Sequence, residues 1–126
     1  MFRDTPAFSG FSVDDIGKAK EFYGQTLGLD ATQDQEMGFI TLKIAGGARV
    51  MIYPKENHEP ATFTIMNFPV ADIERAVDGL AAKGVHFERY EMPGLDVDGR
   101  GIYKDEYGPR IAWFKDPAGN VLSVLE

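Results

Sequence analysis

A six-residue motif recurs in this chain with four of its positions identical, and that repeat restricts the available folds more than any other feature. Phe11-Ser12-Val13-Asp14-Asp15-Ile16 returns as Phe68-Pro69-Val70-Ala71-Asp72-Ile73, 57 positions on from Val13 to Val70. Ala19 returns at the same spacing as Ala76. Self-similarity of this kind points to one supersecondary unit present in two copies. In each copy the motif closes a strand-like run and opens a helix-like one. Asp15 and Asp72 are well suited to cap the helices, because a short carboxylate accepts from the free amides of the first turn. Ile16, Ala19, Phe22, Tyr23 and Leu27 then recur at helical spacing, as do Ile73, Ala76, Val77, Leu80 and Ala81. Gly28 and Gly84 stand where each helix should stop.

Strands follow each helix. Phe39–Ile44 and Ala48–Tyr53 flank Gly46-Gly47, a hairpin signal. Ile111–Phe114 and Val121–Leu125 flank Asp116-Pro117-Ala118-Gly119-Asn120, with Asp, Pro and Gly at the positions a type I turn favours. His86 opens a strand just after Gly84. Between Glu88 and Arg110 the pattern weakens around Pro93, Gly94, Gly99, Gly101, Gly108 and Pro109, which predicts strand fragments and a long loop. The predicted fold is α+β: two βαβββ modules, about 5–56 and about 62–126, forming a curved mixed sheet around a cleft with the helices outside. The 126 residues are expected to make one domain, burying roughly two-thirds of the surface the unfolded chain exposes.

Strand alternation separates two faces. Phe11, Val13, Val50, Ile52, Met66, Phe68, Val70, Leu122 and Val124 share one, all apolar, as a helix-packed face requires. Phe8, Gly10, Ser12, Arg49, Met51, Tyr53, Ile65, Asn67 and Ser123 share the other, a mixture that suits a cavity wall. A slip of one residue in register would exchange the two.

Charge and composition narrow the partners. The net charge of −7 has no local Lys/Arg cluster to offset it, which disfavours nucleic acid and would suit a cationic guest. There is no cysteine, so disulfides and thiol chemistry are excluded. No signal-peptide pattern and no run near the roughly 18 apolar residues of a membrane span is present, and a cytoplasmic protein is the expectation.

Taken together, Val13-Asp14-Asp15-Ile16 through Ala19 to Phe22-Tyr23 and Leu27-Gly28-Leu29, and Trp113-Phe114-Lys115-Asp116-Pro117-Ala118-Gly119-Asn120-Val121-Leu122, resemble the opening and closing signatures of the vicinal oxygen chelate superfamily. This is the superfamily of glyoxalases, bleomycin resistance proteins and extradiol dioxygenases. The likeness covers nearly the whole chain, but a fold that hosts many chemistries does not assign one. The resemblance implies four cleft positions at which metal-dependent members carry His or Glu. Aligned by the motifs, these are Phe8, Met51, Ile65 and Ser123, none of them an ordinary ligand for zinc or iron.

The chain's two histidines, His58 and His86, are expected at the surface or in structural roles. Asp96-Val97-Asp98-Gly99-Arg100-Gly101 has the Asp-x-Asp opening of a calcium loop. Arg100 at the fifth position and Tyr107 at the twelfth spoil it, and a turn is expected instead. Ser9, Ser12 and Ser123 lie in no recognisable triad motif, and the Gly-Gly and Gly-x-Gly pairs lack the setting of phosphate loops.

These observations predict a metal-free, cofactor-free small-molecule-binding protein that sequesters a drug or metabolite, with no catalytic residue assigned. The expected ligand-binding residues are Phe8, Ser12, Met51, Tyr53, Ile65, Asn67, Trp113 and Ser123. The resemblance further implies a homodimer. One alternative is a lyase, isomerase or dioxygenase-like enzyme with a non-standard or absent metal site, its acid–base group drawn from Glu91, Asp96, Asp98, Asp105 or Glu106 on the long loop. A third reading is an interaction module that keeps the fold without chemistry.

Overall fold

The computed structural model describes residues 1–126. By its internal contacts the chain divides into two compact units, Met1–Glu59 and Pro60–Glu126.

The first unit runs β1 (Ser9–Val13), α1 (Ile16–Glu21), a π-helical turn (Phe22–Thr26), β2 (Asp30–Gln33), β3 (Ile40–Lys43) and β4 (Arg49–Pro54). Asp15, in an extended conformation, accepts from the Lys18 amide at 3.1 Å and so caps α1. The sequence predicts one regular helix as far as Leu27, whereas the last turn is wider, with the Leu27 amide donating to the Phe22 carbonyl at 2.9 Å. Spacing does not announce the wider turn, because Tyr23 and Leu27 stand four residues apart as in an α-helix. Tyr23 is fully buried, with its ring centroid 5.6 Å from Phe11 and 5.2 Å from Phe22.

The sheet order is β1-β4-β3-β2, with β1 parallel to β4 and the remaining pairs antiparallel. Val13, Ile40, Leu42 and Ile52 are fully buried with Ala19 and Tyr23, which defines the helix-packed face. Each such aliphatic side chain stabilises the unit by roughly 1.5–3 kcal/mol. Gly46 and Gly47 both take positive φ, 93° and 92°, and turn β3 into β4 as their pairing predicts.

The second unit runs β5 (Thr64–Pro69), α2 (Ile73–Ala82), β6 (Asp96–Val97), β7 (Tyr103–Lys104), β8 (Ile111–Lys115) and β9 (Val121–Leu125). Asp72 caps α2 by accepting from the Arg75 amide at 3.1 Å. At the other end Gly84, with φ +91°, donates to Ala81 and the Val85 amide donates to Leu80, a paired C-terminal cap that needs the left-handed residue. Ile73 and Val77 are buried, as are Ala112, Phe114, Leu122 and Val124 on β8 and β9.

The order here is β5-β9-β8-β7-β6, again mixed, with β5 parallel to β9. Thus there are two mixed sheets, of four and five strands, neither closed into a barrel, and the fold is α+β. Two details depart from the sequence reading. The strand expected at His86 shrinks to a bridge between Phe87 and Phe114, and the edge beside β8 is filled further on by Tyr103, opposite Ile111. β5 also carries a bulge between Thr64 and Met66.

Candidate functional site

The open face of the first sheet is set by two cross-strand rows. Gly10, Met51 and Thr41 are register partners across β1, β4 and β3, and Ser12 pairs with Tyr53 one step along. Met51 and Ser12 are half-buried, while Tyr53 and Phe8 are exposed at 38% and 63%. A Cβ on Gly10 would lie 3.4 Å from the Met51 carbonyl oxygen and 3.9 Å from the Tyr53 ring, at ordinary contact distance. Phe8 and Met51 line one cavity of about 190 Å³ together with Phe39, Thr41, Arg49 and Val50.

Ser12 is also held from outside the strands. Its hydroxyl lies 2.6 Å from Nδ1 of the half-buried His58, whose amide in turn donates to the Lys55 carbonyl at 3.1 Å. The sequence reading of His58 as a surface or structural residue of the Lys55–Pro60 connection misses this pairing. Forty-six residues separate the partners, and no local pattern links them.

The open face of the second sheet is organised around Ser123. Asn67, Ser123 and Trp113 are register partners across β5, β9 and β8. Ser123 has no exposed surface, and its hydroxyl donates to Oδ1 of the exposed Asn67 at 2.5 Å. It therefore orients the Asn67 amide and is itself out of a ligand's direct reach.

Trp113 is half-buried, and its indole N–H donates to the Thr64 hydroxyl at 3.0 Å. Its ring lies against Tyr103 at 5.3 Å and Tyr90 at 5.8 Å, both edge-on. The Tyr103 hydroxyl donates to the Tyr90 carbonyl and accepts from the Tyr90 amide, which locks the cluster. Burial pushes the Tyr90 phenol up from its ordinary value, and the Glu88 carboxylate adds to the shift. Ile65 is half-buried within the β5 bulge. Across the bulge it is Thr64 that pairs with Val121, two residues from Ser123 on the same face, and so meets the indole, which a sequence pattern of strict alternation does not reveal.

The eight expected ligand residues thus fall into three groups. Phe8 and Met51 share a cavity, Ser12 and Tyr53 are cross-strand neighbours, and Asn67, Ser123 and Trp113 form a row with Ile65 nearby on β5.

The long loop places its acids differently. Asp96 and Asp98 line a cavity of about 520 Å³ with Lys104, Arg110 and Glu126, whereas Glu91, Asp105 and Glu106 do not. Asp98 Oδ1 is occupied by the Arg100 and Ile102 amides, both at 2.9 Å, the turn expected of the calcium-like sequence. Arg110 is committed to Glu74 at 3.1 Å and Glu126 at 2.9 Å. A backbone donor at Ile73 and then Arg110 hold the Glu126 carboxyl below its ordinary range.

No group of three or more His, Asp or Glu side chains is arranged to hold a metal ion. Phe8, Met51, Ile65 and Ser123 supply no imidazole or carboxylate, so this donor set does not fit a zinc or nonhaem iron centre. No helix is long and apolar enough to cross a membrane.

Two helix-covered mixed sheets whose open faces carry mixed polar and aromatic rows define the class of fold found in glyoxalases. Comparison with known proteins bears this out. The sequence model of the Glyoxalase/Bleomycin resistance protein/Dioxygenase superfamily matches residues 8–124, and the chain belongs to that superfamily.

Solved structures similar to it include a glyoxalase family protein from Enterococcus faecalis, 23% identical over all of both chains with a TM-score of 0.66. An antibiotic binding protein from Streptomyces sp. CB03234 is 23% identical, covering 97% of this chain and 96% of that one, with a TM-score of 0.66. A genomically encoded fosfomycin resistance protein from Listeria monocytogenes is 14% identical, covering 94% and 89%, with a TM-score of 0.69. At these identities the likeness is one of fold. No curated protein matches the sequence.

Proposed function

We propose that this chain is a metal-free small-molecule-binding protein that holds a drug or metabolite stoichiometrically against the open faces of its sheets. One observation carries the reading. Aligned by the sequence motifs, Phe8, Met51, Ile65 and Ser123 fall at the positions where the resemblance implies metal donors, and none of them is one, while the same faces offer aromatic rings, a thioether and an oriented amide. Such surfaces recognise ligands by shape, stacking and a few placed hydrogen bonds. The antibiotic binding protein among the structural neighbours lends support by analogy.

The reading takes residues 1–126 as one functional domain in a cytoplasmic homodimer, with Phe8, Ser12, Met51, Tyr53, Ile65, Asn67 and Trp113 as its ligand contacts and Ser123 acting through the Asn67 amide it orients. Light scattering on the purified protein checks the dimer. Titration calorimetry against a panel of hydrophobic and charged drugs checks the binding. Saturable heat without product supports it, and absence of both heat and thermal shift across the panel contradicts it.

A second reading, an enzyme of the lyase or isomerase type, is favoured by the 2.6 Å contact between Ser12 and His58, since an imidazole bonded to a hydroxyl is the start of an acid–base pair. Turnover of any bound compound that disappears in Ser12→Ala and His58→Gln alike would establish this reading over the first.

A further inference from the structure

We propose that the open face of the first sheet takes a flat, hydrophobic monoanion of the aromatic carboxylate class, with Arg49 as its counter-ion. The inference rests on the small-molecule reading above and names the chemistry of the guest. The cavity of about 190 Å³ is smaller than a drug-sized site and suits one or two fused rings. Phe8 and Phe39 give it aromatic walls, Met51 an adaptable apolar floor, and Thr41 a hydroxyl. Phe8 is 63% exposed although it closes an apolar wall, which is the condition of a ring awaiting a partner.

Charge supplies the second, independent observation. Arg49 lies directly opposite Lys43 across β4 and β3, and like charges in that relation repel. Asp30 stands opposite Lys43 on its far side, on β2, where it offsets the lysine rather than the arginine. The ion pairs of the chain fall on Arg100, Arg110 and Lys115, and Arg49 enters none of them. An unpaired guanidinium in a chain of net charge −7 is a local exception to the global field. Screening confines that field to roughly 8 Å at physiological salt, so a bound group answers to Arg49 more than to distant acids. The planar guanidinium presents a fixed fork of donors that matches a carboxylate. The overall acidity suggests a cationic guest, and the residues at the cavity point to the opposite sign.

The test is a titration of the full chain, followed by NMR at the Arg49 side-chain Nε–H and the Met51 methyl group. The probes are 1-naphthoate, neutral 1-naphthylmethanol and cationic 1-naphthylmethylammonium. Naphthoate is expected to shift both signals and to bind about tenfold more tightly than the neutral analogue, the worth of one charge-assisted contact. Arg49→Met, which keeps the apolar stem, is expected to remove that preference, and Arg49→Gln carries the same comparison if the first variant is poorly folded.

Equal binding of the neutral or cationic probe at these signals overturns the anion inference but leaves a small-molecule site. Naphthoate shifts confined to Asn67 and Trp113 overturn the location. If none of the three probes binds, this inference fails, and the drug-panel calorimetry decides the broader reading separately.

Discussion

Asp116→Ala should destabilise the second unit by about 3 kcal/mol, because one buried carboxylate ties the turn that aligns β8 with β9. Asp116 is 4% exposed. Its Oδ1 accepts from the Ala118 and Asn120 amides, each at 2.9 Å, and its Oδ2 accepts from Asn120 Nδ2 at 3.0 Å. Hydrogen bonds to a charged group are worth roughly 1.5–3 kcal/mol each, but these three share one acceptor group and do not add. Part of the loss comes from Asn120, which is 2% exposed and would lose the Asp116 oxygen as acceptor for its buried side-chain amide.

The backbone bonds of the turn survive the change, Gly119 to Asp116 at 3.0 Å and Asp116 to Asn120 at 2.9 Å, so the strands should still pair. Urea unfolding followed by circular dichroism should show a lower midpoint with an unchanged slope. Asp116→Asn, which keeps an acceptor for the two backbone amides but sets an NH2 against Asn120 Nδ2, should lose about 2 kcal/mol, less than the alanine variant. If Asp116→Ala unfolds within about 0.5 kcal/mol of the parent, the carboxylate does not hold the turn and the reasoning fails.

Trp113→Phe removes the donor to Thr64 while keeping an aromatic ring, and should cost about 1 kcal/mol in the same urea assay. A larger loss would mean that the indole's bulk, rather than its N–H, organises that face. Glu126 loses its proton more readily folded than unfolded, so the stability it contributes is complete above the ordinary carboxyl value of 4.5 and is lost as pH falls through the lowered value. Glu126→Gln should therefore flatten stability against pH below about 4.5, and an unchanged acid limb would show that the Ile73 and Arg110 contacts do not matter there.

Much of the fold is legible in the sequence because its punctuation is local. Asp15 and Asp72 cap helices, Gly84 ends one, and Gly46-Gly47 turns a hairpin, each through contacts within a few residues. The alternation that puts Val13, Ile52, Leu122 and Val124 inside also puts Gly10, Ser12, Met51 and Tyr53 on the other face, since pairing register preserves the period of two. Three features escape this logic. The π turn at Phe22 leaves apolar spacing unchanged. The β5 bulge that brings Thr64 to Trp113 comes from pairing with β9, 57 residues on from Thr64 to Val121. The link from His58 to Ser12, and the isolation of Arg49 from any acid, depend on how separate strands meet and have no signature along the chain.

The proposed function requires that the protein work without a metal. Elemental analysis of the chain purified without chelator, repeated after incubation with zinc, iron and manganese salts and desalting, tests this most directly. Metal far below one equivalent is expected in every sample, with ligand binding unaffected by chelator. One tightly held equivalent of any of the three, lost together with ligand binding on chelation, would contradict it.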